Sequence, residues 1–275
     1  MTRKPRVLFV SQEIFPYLDQ THMSYISRYL PQGVQEKGKE IRIFMPRFGC
    51  INERRNQLHE VIRLSGINII IDDTDHPLII KVASIQAARM QVYFIDNEEY
   101  FQRKHTFADA NNEHFSDNDE RSIFFCRGVL ETVKKLGWSP DIIHCQGWFT
   151  APLPMLVRKA YREDPIFADT KVVYSVYDDY FEQPLHKKFH EKLKMEGIQD
   201  ADLKKVKDPS HHNLSHMAIE HADGVIKGSE TLTPELEKIL KGVNKPFLNF
   251  QDPENYVEAY STFYDRVLEE ASVLS

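Results

Sequence analysis

The sequence predicts an α/β fold: a Rossmann-like, doubly wound, mostly parallel sheet carrying a small antiparallel β insertion. Three observations predict it. Short apolar bursts alternate with stretches of helical period along most of the chain. The first burst, helix and second burst fall within residues 6–45, the span of one right-handed crossover. Between residues 59 and 95 the rhythm breaks into three strand-like runs with no helix between them.

In chain order, Arg6 to Ser11 reads as a buried strand built on Val7-Leu8-Phe9-Val10. A loop with Glu13 and Pro16 leads to a helix over 21–36, whose apolar face is Tyr25, Ile26, Tyr29 and Leu30 and whose stop is Gly38. Ile41 to Met45 is the second strand. His59 to Ile71, Leu78 to Ser84 and Met90 to Ile95 form the insertion, with a turn at Asp72-Asp73-Thr74-Asp75, and the last run is placed to rejoin the main sheet. Asn97 to Arg103 reads as a short helix and Lys104 to Ser116 as a loop. Asp117 to Leu136 is a strong helix, opened by Asp and closed by Lys-Lys-Leu-Gly. Asp141 to Thr150 compresses a strand, a polar and glycine turn, and the start of a helix over 148–162. In open parallel sheets ligands bind outside the carboxyl ends of the strands, so His144, Gln146, Gly147 and Trp148 belong on that rim. Lys171 to Val176 is a further strand, with Tyr177 to Pro184 as its loop. Residues 186–206 read as a surface helix or an irregular flap. His211 to His221 is helical, Gly224 to Lys227 a strand, and Thr233-Pro234-Glu235 opens a helix. Pro246 to Phe250 and Pro253 to Leu268 complete the chain as a strand and a helix.

The chain of 275 residues suffices for one large α/β domain or two small ones, and no repeat, low-complexity tract or shift of composition marks a boundary. A single domain over 1–275 is expected, with the β insertion at 59–95 and a C-terminal extension at 245–275. Lys and Arg number 35 against 41 Asp and Glu, a net charge of −6, which argues against a nucleic-acid surface. Cys50, Cys126 and Cys145 have neither disulfide nor zinc spacing, and no apolar run is long enough to cross a membrane. The basic N-terminus is followed by too short an apolar patch for a signal peptide. The expectation is a cytoplasmic protein with no cofactor, nucleic-acid or membrane partner. No Ser-His-Asp, Walker or Gly-x-Gly-x-x-Gly pattern is present.

Several stretches, in order, resemble the N-terminal domain of bacterial glycogen and plant starch synthases. They are Val7 to Tyr17, Pro46-Arg47-Phe48-Gly49, Val92 to Asn97 with Tyr100 to Arg103, Asp117-Asn118-Asp119-Glu120-Arg121 with Phe124-Phe125, Pro140 to His144 with Trp148 and Thr150, and Ala218 to Gly224. The resemblance implies half of a GT-B fold and transfer of glucose from ADP-glucose to an α-1,4-glucan. Two motifs depart. The family's Lys-x-Gly-Gly-Leu loop, which serves the nucleotide phosphates, is here Asp19-Gln20-Thr21-His22-Met23. An aspartate repels a diphosphate, and without glycine the backbone cannot approach it closely. The family's His-x-His-Asp-Trp is here His144-Cys145-Gln146-Gly147-Trp148, so the sugar-pocket histidine and aspartate become Gln146 and Gly147. A glutamine hydrogen-bonds a hydroxyl but does not take its proton.

Each remaining candidate has two readings. Asp117, Asn118 and Arg121 either line the sugar or glucan site or are a helix cap with a solvated arginine one turn on. His144 either supports the pocket or is a satisfied core histidine. Trp148 either stacks on a sugar face or is the first core residue of its helix. Tyr177, Tyr180 and Phe181 either offer a glucan surface or cap the sheet. Asp19, Thr21 and His22 are what remains of the nucleotide loop. The pairs His186/His190 and His212/His216 have metal-binding spacing, but nothing completes either set, so no metal is expected. Lysines between 187 and 207, interleaved with acids, read as a solvated face. Three functions stay open: a glucosyltransferase whose second domain a separate chain supplies, a non-catalytic α-glucan-binding or regulatory module, and a scaffold with a vestigial site.

Overall fold

A computed structural model describes residues 3–252 and 254–272. β1 (Arg6–Ser11) leads to α1 (His22–Glu36), and β2 (Glu40–Pro46) returns parallel to β1 with Phe9 opposite Ile43. After the one-turn α2 (Glu53–Asn56) come β3 (His59–Glu60), β4 (Ile67–Ile71), β5 (Thr74–Ile85) and β6 (Met90–Asp96). β5 runs antiparallel to β3, β4 and β6, and β6 rejoins the main sheet parallel to β2.

The single run expected over His59 to Ile71 is two strands. The chain turns at Val61 to Leu64, where Leu64 and Ser65 bond back to Val61, and Gly66 takes a φ of +88° that breaks the extended run. The Asp cluster does make the turn, with Asp72 and Asp73 at φ 48° and 62°, a region aspartate tolerates. Thr74 and Asp75 already belong to β5, opposite Ile71 and Ile70.

α3 (Glu98–Phe101) and α4 (Asn118–Leu136) precede β7 (Ile142–Gln146), every residue of which is buried. The helix expected over 148–162 is shorter: a 3-10 turn at Trp148–Thr150, then α5 (Pro152–Arg158). Pro152 and Pro154 fit there because the first turn of a helix has no use for their missing N–H. β8 (Lys171–Val176), the one-turn α6 (Phe189–Lys192), α7 (His211–His221), β9 (Gly224–Lys227), α8 (Pro234–Lys241), β10 (Phe247–Leu248) and α9 (Tyr256–Ser272) follow. Of the expected last helix, Pro253 lies outside the described residues. The Lys-rich segment is not uniformly a solvated face. The Lys192 side chain is 6% exposed and reaches Asp119 at 2.7 Å and Glu120 at 2.6 Å, pinning α6 to the first turn of α4.

The strand order is β10-β9-β8-β7-β1-β2-β6-β5-β3, with β10 through β6 mutually parallel. From β1 the chain winds one way through β2 and β6, then crosses to β7 and winds the other way. The switch point therefore lies between β1 and β7, and the crevice it opens is flanked by the loops that follow these two strands. On one face of the sheet α9 lies beside α1. A Cβ at Gly33 would stand 2.4 Å from Val257 Cγ1, so only glycine permits this approach of the two helices.

Candidate functional site

At the switch point β7 ends in Gln146, and Gly147 turns the chain with φ 86° and ψ 163°. That backbone region is open essentially to glycine alone. The next two N–H groups open the 3-10 turn and point into the crevice, where two side chains meet them. Trp148 N–H donates to Asp179 Oδ2 at 2.8 Å, and Phe149 N–H donates to Gln12 Oε1 at 3.0 Å. Gln12 follows β1 directly, and Asp179 belongs to the loop after β8. A Cβ on Gly147 would lie 2.3 Å from Gln12 Oε1 and 3.0 Å from Asp179 Oδ2. Asp179 Oδ1 in turn sits 2.9 Å from Nε2 of His211, a buried residue opening α7.

Free N–H groups at a helix start attract anions. Here the chain's own acceptors occupy them, and the surroundings are acidic. Burial raises the pKa of the Glu13 carboxyl, its bond from Thr21 opposes that rise, and the charge of Asp179 adds to it. Asp19 is exposed in the same β1–α1 loop.

The structure separates the expected site residues into three groups. In the β1–α1 loop, Thr21 caps α1: its hydroxyl accepts from Ser24 N–H at 3.0 Å, and the Ser24 hydroxyl accepts from Thr21 N–H at 2.8 Å. Thr21 also donates to Glu13. His22 lies with its ring 5.3 Å from Phe250 and 6.3 Å from Tyr177, and burial lowers its pKa. Thr21→Ala is expected to cost about 1 kcal/mol, the worth of a lost cap, read as a lower urea midpoint. A loss below a few tenths of a kcal/mol would mean that Ser24 holds the helix start unaided.

In the second group, at the ends of β7 and β8, the side chains are turned inward. Tyr177 is buried, and its hydroxyl donates to Gln146 Oε1 at 3.0 Å. Gln146 Nε2 is buried and has no hydrogen-bond partner among the described residues. Trp148 is 3% exposed, with Phe107, Phe149 and Phe181 at ring distances of 5.1, 5.2 and 4.8 Å. Its stacking faces are spent on protein. His144 is a core histidine: Nε2 pairs with the Ser175 hydroxyl at 2.7 Å and Nδ1 with the Tyr264 hydroxyl of α9 at 2.8 Å.

The third group surrounds the start of α4. Asp117 stands at the cap position but makes no capping bond; its carboxylate is clasped by Arg103, with Nη1 at 2.6 Å. Asn118 donates to Phe107 O at 2.8 Å. Arg121 is not solvated. It is fully buried, donates to Tyr100 O and Asn118 Oδ1, and lies among Phe48, Phe101, Phe115 and Phe149. Burial pushes its pKa down to about 10. Asn118 and Arg121 thus brace the aromatic wall behind Trp148 rather than line an open pocket.

Sequence reasoning missed Gln12, Asp179 and His211. The available signal was positional: β1 ends at Ser11 and β8 at Val176, so the residues just beyond both strands fall on the rim. Tyr180, beside Asp179, is 47% exposed and stacks on His212 at 5.4 Å. Among the described residues no group of three or more His, Cys, Asp or Glu is placed to hold a metal ion, and no helix is long and apolar enough to cross a membrane.

Comparisons agree on one kinship. The family model for the starch synthase catalytic domain matches residues 6–244. The glycogen synthase of Chlorobium limicola is 37% identical over 235 residues, 85% of this chain and 47% of that protein. The glycogen synthase of Chlorobium luteolum is 34% identical over 253 residues, 88% of this chain and 51% of that one. This chain spans about half the length of these relatives. The fold is similar to the catalytic domain of starch synthase IV from Arabidopsis thaliana, solved with ADP and acarbose, with a TM-score of 0.72 and 18% identity over 91% of this chain and 52% of that one. The shared architecture is that of a GT-B glycosyltransferase domain.

Proposed function

The chain belongs to the starch synthase catalytic-domain family, and from that premise we propose that it serves α-1,4-glucan metabolism as a glucan-binding module rather than as the seat of glucosyl transfer. One observation carries this reading: Gln12 and Asp179 already accept the N–H groups of Trp148 and Phe149 in the switch-point crevice. A diphosphate there would displace two acceptors and face the carboxylates of Glu13 and Asp179. Each charge-assisted hydrogen bond that it then fails to form forfeits about 1.5–3 kcal/mol. Gln146 takes no proton and is bonded to Tyr177. The starch synthase neighbour was solved with both a nucleotide and an oligosaccharide; we carry over the oligosaccharide alone.

The contact with glucan is Tyr180, whose exposed ring suits the apolar face of glucose. Its loop is held to the rim by Asp179, which accepts from Trp148 N–H, and by Phe181 against the Trp148 ring. Residues 1–275 are taken as one N-terminal-type domain, with 59–95 as an insertion and 245–275 as an extension, working in the cytoplasm.

Two measurements test it. Mobility in a native gel should fall when glycogen is included, and Tyr180→Ala should restore it; unchanged mobility of the unmodified chain defeats the glucan reading. Labelled glucose from ADP-glucose or UDP-glucose should not reach glycogen. Transfer above background, by the purified chain alone or with a separate chain supplying a second nucleotide-binding domain, overturns the non-catalytic part.

A further inference from the structure

At the opposite end of the sheet from the switch point, where β2 and β6 begin, a cavity of about 460 Å³ opens. Its walls include Lys4, Lys39, Arg42, Arg89, Tyr93 and Trp138. That volume falls in the range of small-molecule sites, about 300–1,000 Å³. The protein carries a net charge of −6, yet four cations converge here. Glu40, the acid in the lining, is engaged by Arg6 at 2.9 Å. Lys39 is answered from α9 by Ser261 at 2.9 Å and Asp265 at 3.0 Å.

The other three cations have no carboxylate within ion-pair distance among the described residues. Arg42 is the most constrained. Its Nη1 donates to the Tyr93 hydroxyl at 2.8 Å, its guanidinium lies 5.1 Å from the centre of the Trp138 ring, and its Nε is buried without a hydrogen-bond partner. Aromatic faces offset part of the desolvation of a guanidinium but supply no counter-charge. Arg89 occupies the tight turn into β6 at φ 53°, a conformation in which arginine is uncommon. Lys4, just before β1, is exposed at the mouth.

We infer that this cavity is a binding site for a small phosphate-bearing anion, held by Arg42, Arg89 and Lys4 and remote from the switch-point crevice. Three cations share one concavity in an acidic protein, and a multiply charged anion relieves their repulsion while meeting the fork geometry of two arginines. Polar Gln35 and Gln91 also line the cavity and suit the hydroxyls of a sugar-sized body. The site stands independently of the glucan reading, because none of its residues touches the crevice.

The chain's two tryptophans make the test specific. Trp138 lines this cavity and Trp148 lies at the switch point, so their indole N–H signals report the two ends separately. The full chain, labelled with nitrogen-15, is titrated at fixed ionic strength with inorganic phosphate, inorganic pyrophosphate and a hexose monophosphate. The Trp138 signal should move saturably while the Trp148 signal stays. Arg89→Gln and Lys4→Gln, both at exposed positions without ion pairs, should each weaken binding by about five- to tenfold, the scale of one charge-assisted contact. A tighter hexose monophosphate assigns the site to sugar phosphates, and a tighter pyrophosphate assigns it to free polyphosphate. The inference is overturned if no probe moves Trp138 saturably, if both variants bind as tightly as the unmodified chain, or if polyglutamate moves Trp138 and the phosphates do not.

Discussion

Replacing Gly147 with alanine is expected to destabilise the protein by about 3 kcal/mol or more, seen as a lower urea midpoint at unchanged slope. Two effects add. The first is local: φ 86° and ψ 163° lie where a side chain costs about 1–3 kcal/mol. The second is tertiary, because the new Cβ would fall 2.3 Å from Gln12 Oε1. Gln12 can swing aside only by abandoning the Phe149 N–H, and a buried donor left unpaired costs about 1–3 kcal/mol. The two effects separate in a double-mutant cycle. Gln12→Ala alone should cost about 1–2 kcal/mol. In that background Gly147→Ala should lose only the backbone part, so the pair is less damaging than the sum. Strict additivity would show that Gln12 does not close this turn, and the closed crevice on which the functional proposal rests would fall with it.

Why this closure was invisible in the sequence follows from where its parts come from. Arg6–Ser11, Lys171–Val176, His211–His221 and Gly224–Lys227 have the bounds expected from apolar pattern and turn residues. Periodicity is a local property, and these elements obey it. The rim is also local in this sense, since a strand that ends at Gln146 before a glycine must present its end to the crevice. What lies behind the rim is not local. Trp148 is covered by Phe107, from a loop without apolar period, and by Phe181, from another. Arg121 reads as a solvated helix residue until Phe48, Phe101, Phe115 and Phe149 converge on it from four separate segments. Asp179 reads as an ordinary loop acid until β8 lies beside β7. The family motifs drew attention to these positions, and the packing shows what surrounds each of them.

His144 makes the same point in a form that acid can test. It occupies a histidine position of the family pattern, yet its ring serves to tie β7 to α9, through Ser175 on one side and Tyr264 on the other. Burial pushes its pKa down to about 3. The folded protein therefore keeps the ring neutral at a pH where the unfolded chain, titrating near its ordinary 6.5, has taken up a proton. The stabilisation is complete above pH 6.5 and drains as pH falls, by up to ~1.4 kcal/mol per unit, until the folded pKa is reached. By pH 4 this amounts to about 3 kcal/mol. Burial also lowers the pKa of His22, His114, His212 and His216, and carboxylates titrate in the same range, so the measurement is a difference. His144→Gln, which keeps a donor and an acceptor but cannot ionise, should be less stable at pH 7. Its stability should then fall less steeply between pH 6.5 and 4, with the gap to the unmodified protein narrowing by about 3 kcal/mol. Parallel curves would mean that another group carries the acid sensitivity. A narrowing gap, with amide protection factors along α9 that fall with pH, would identify this histidine as the clasp that holds the last helix on the sheet. The histidine's role would then be structural and independent of any sugar.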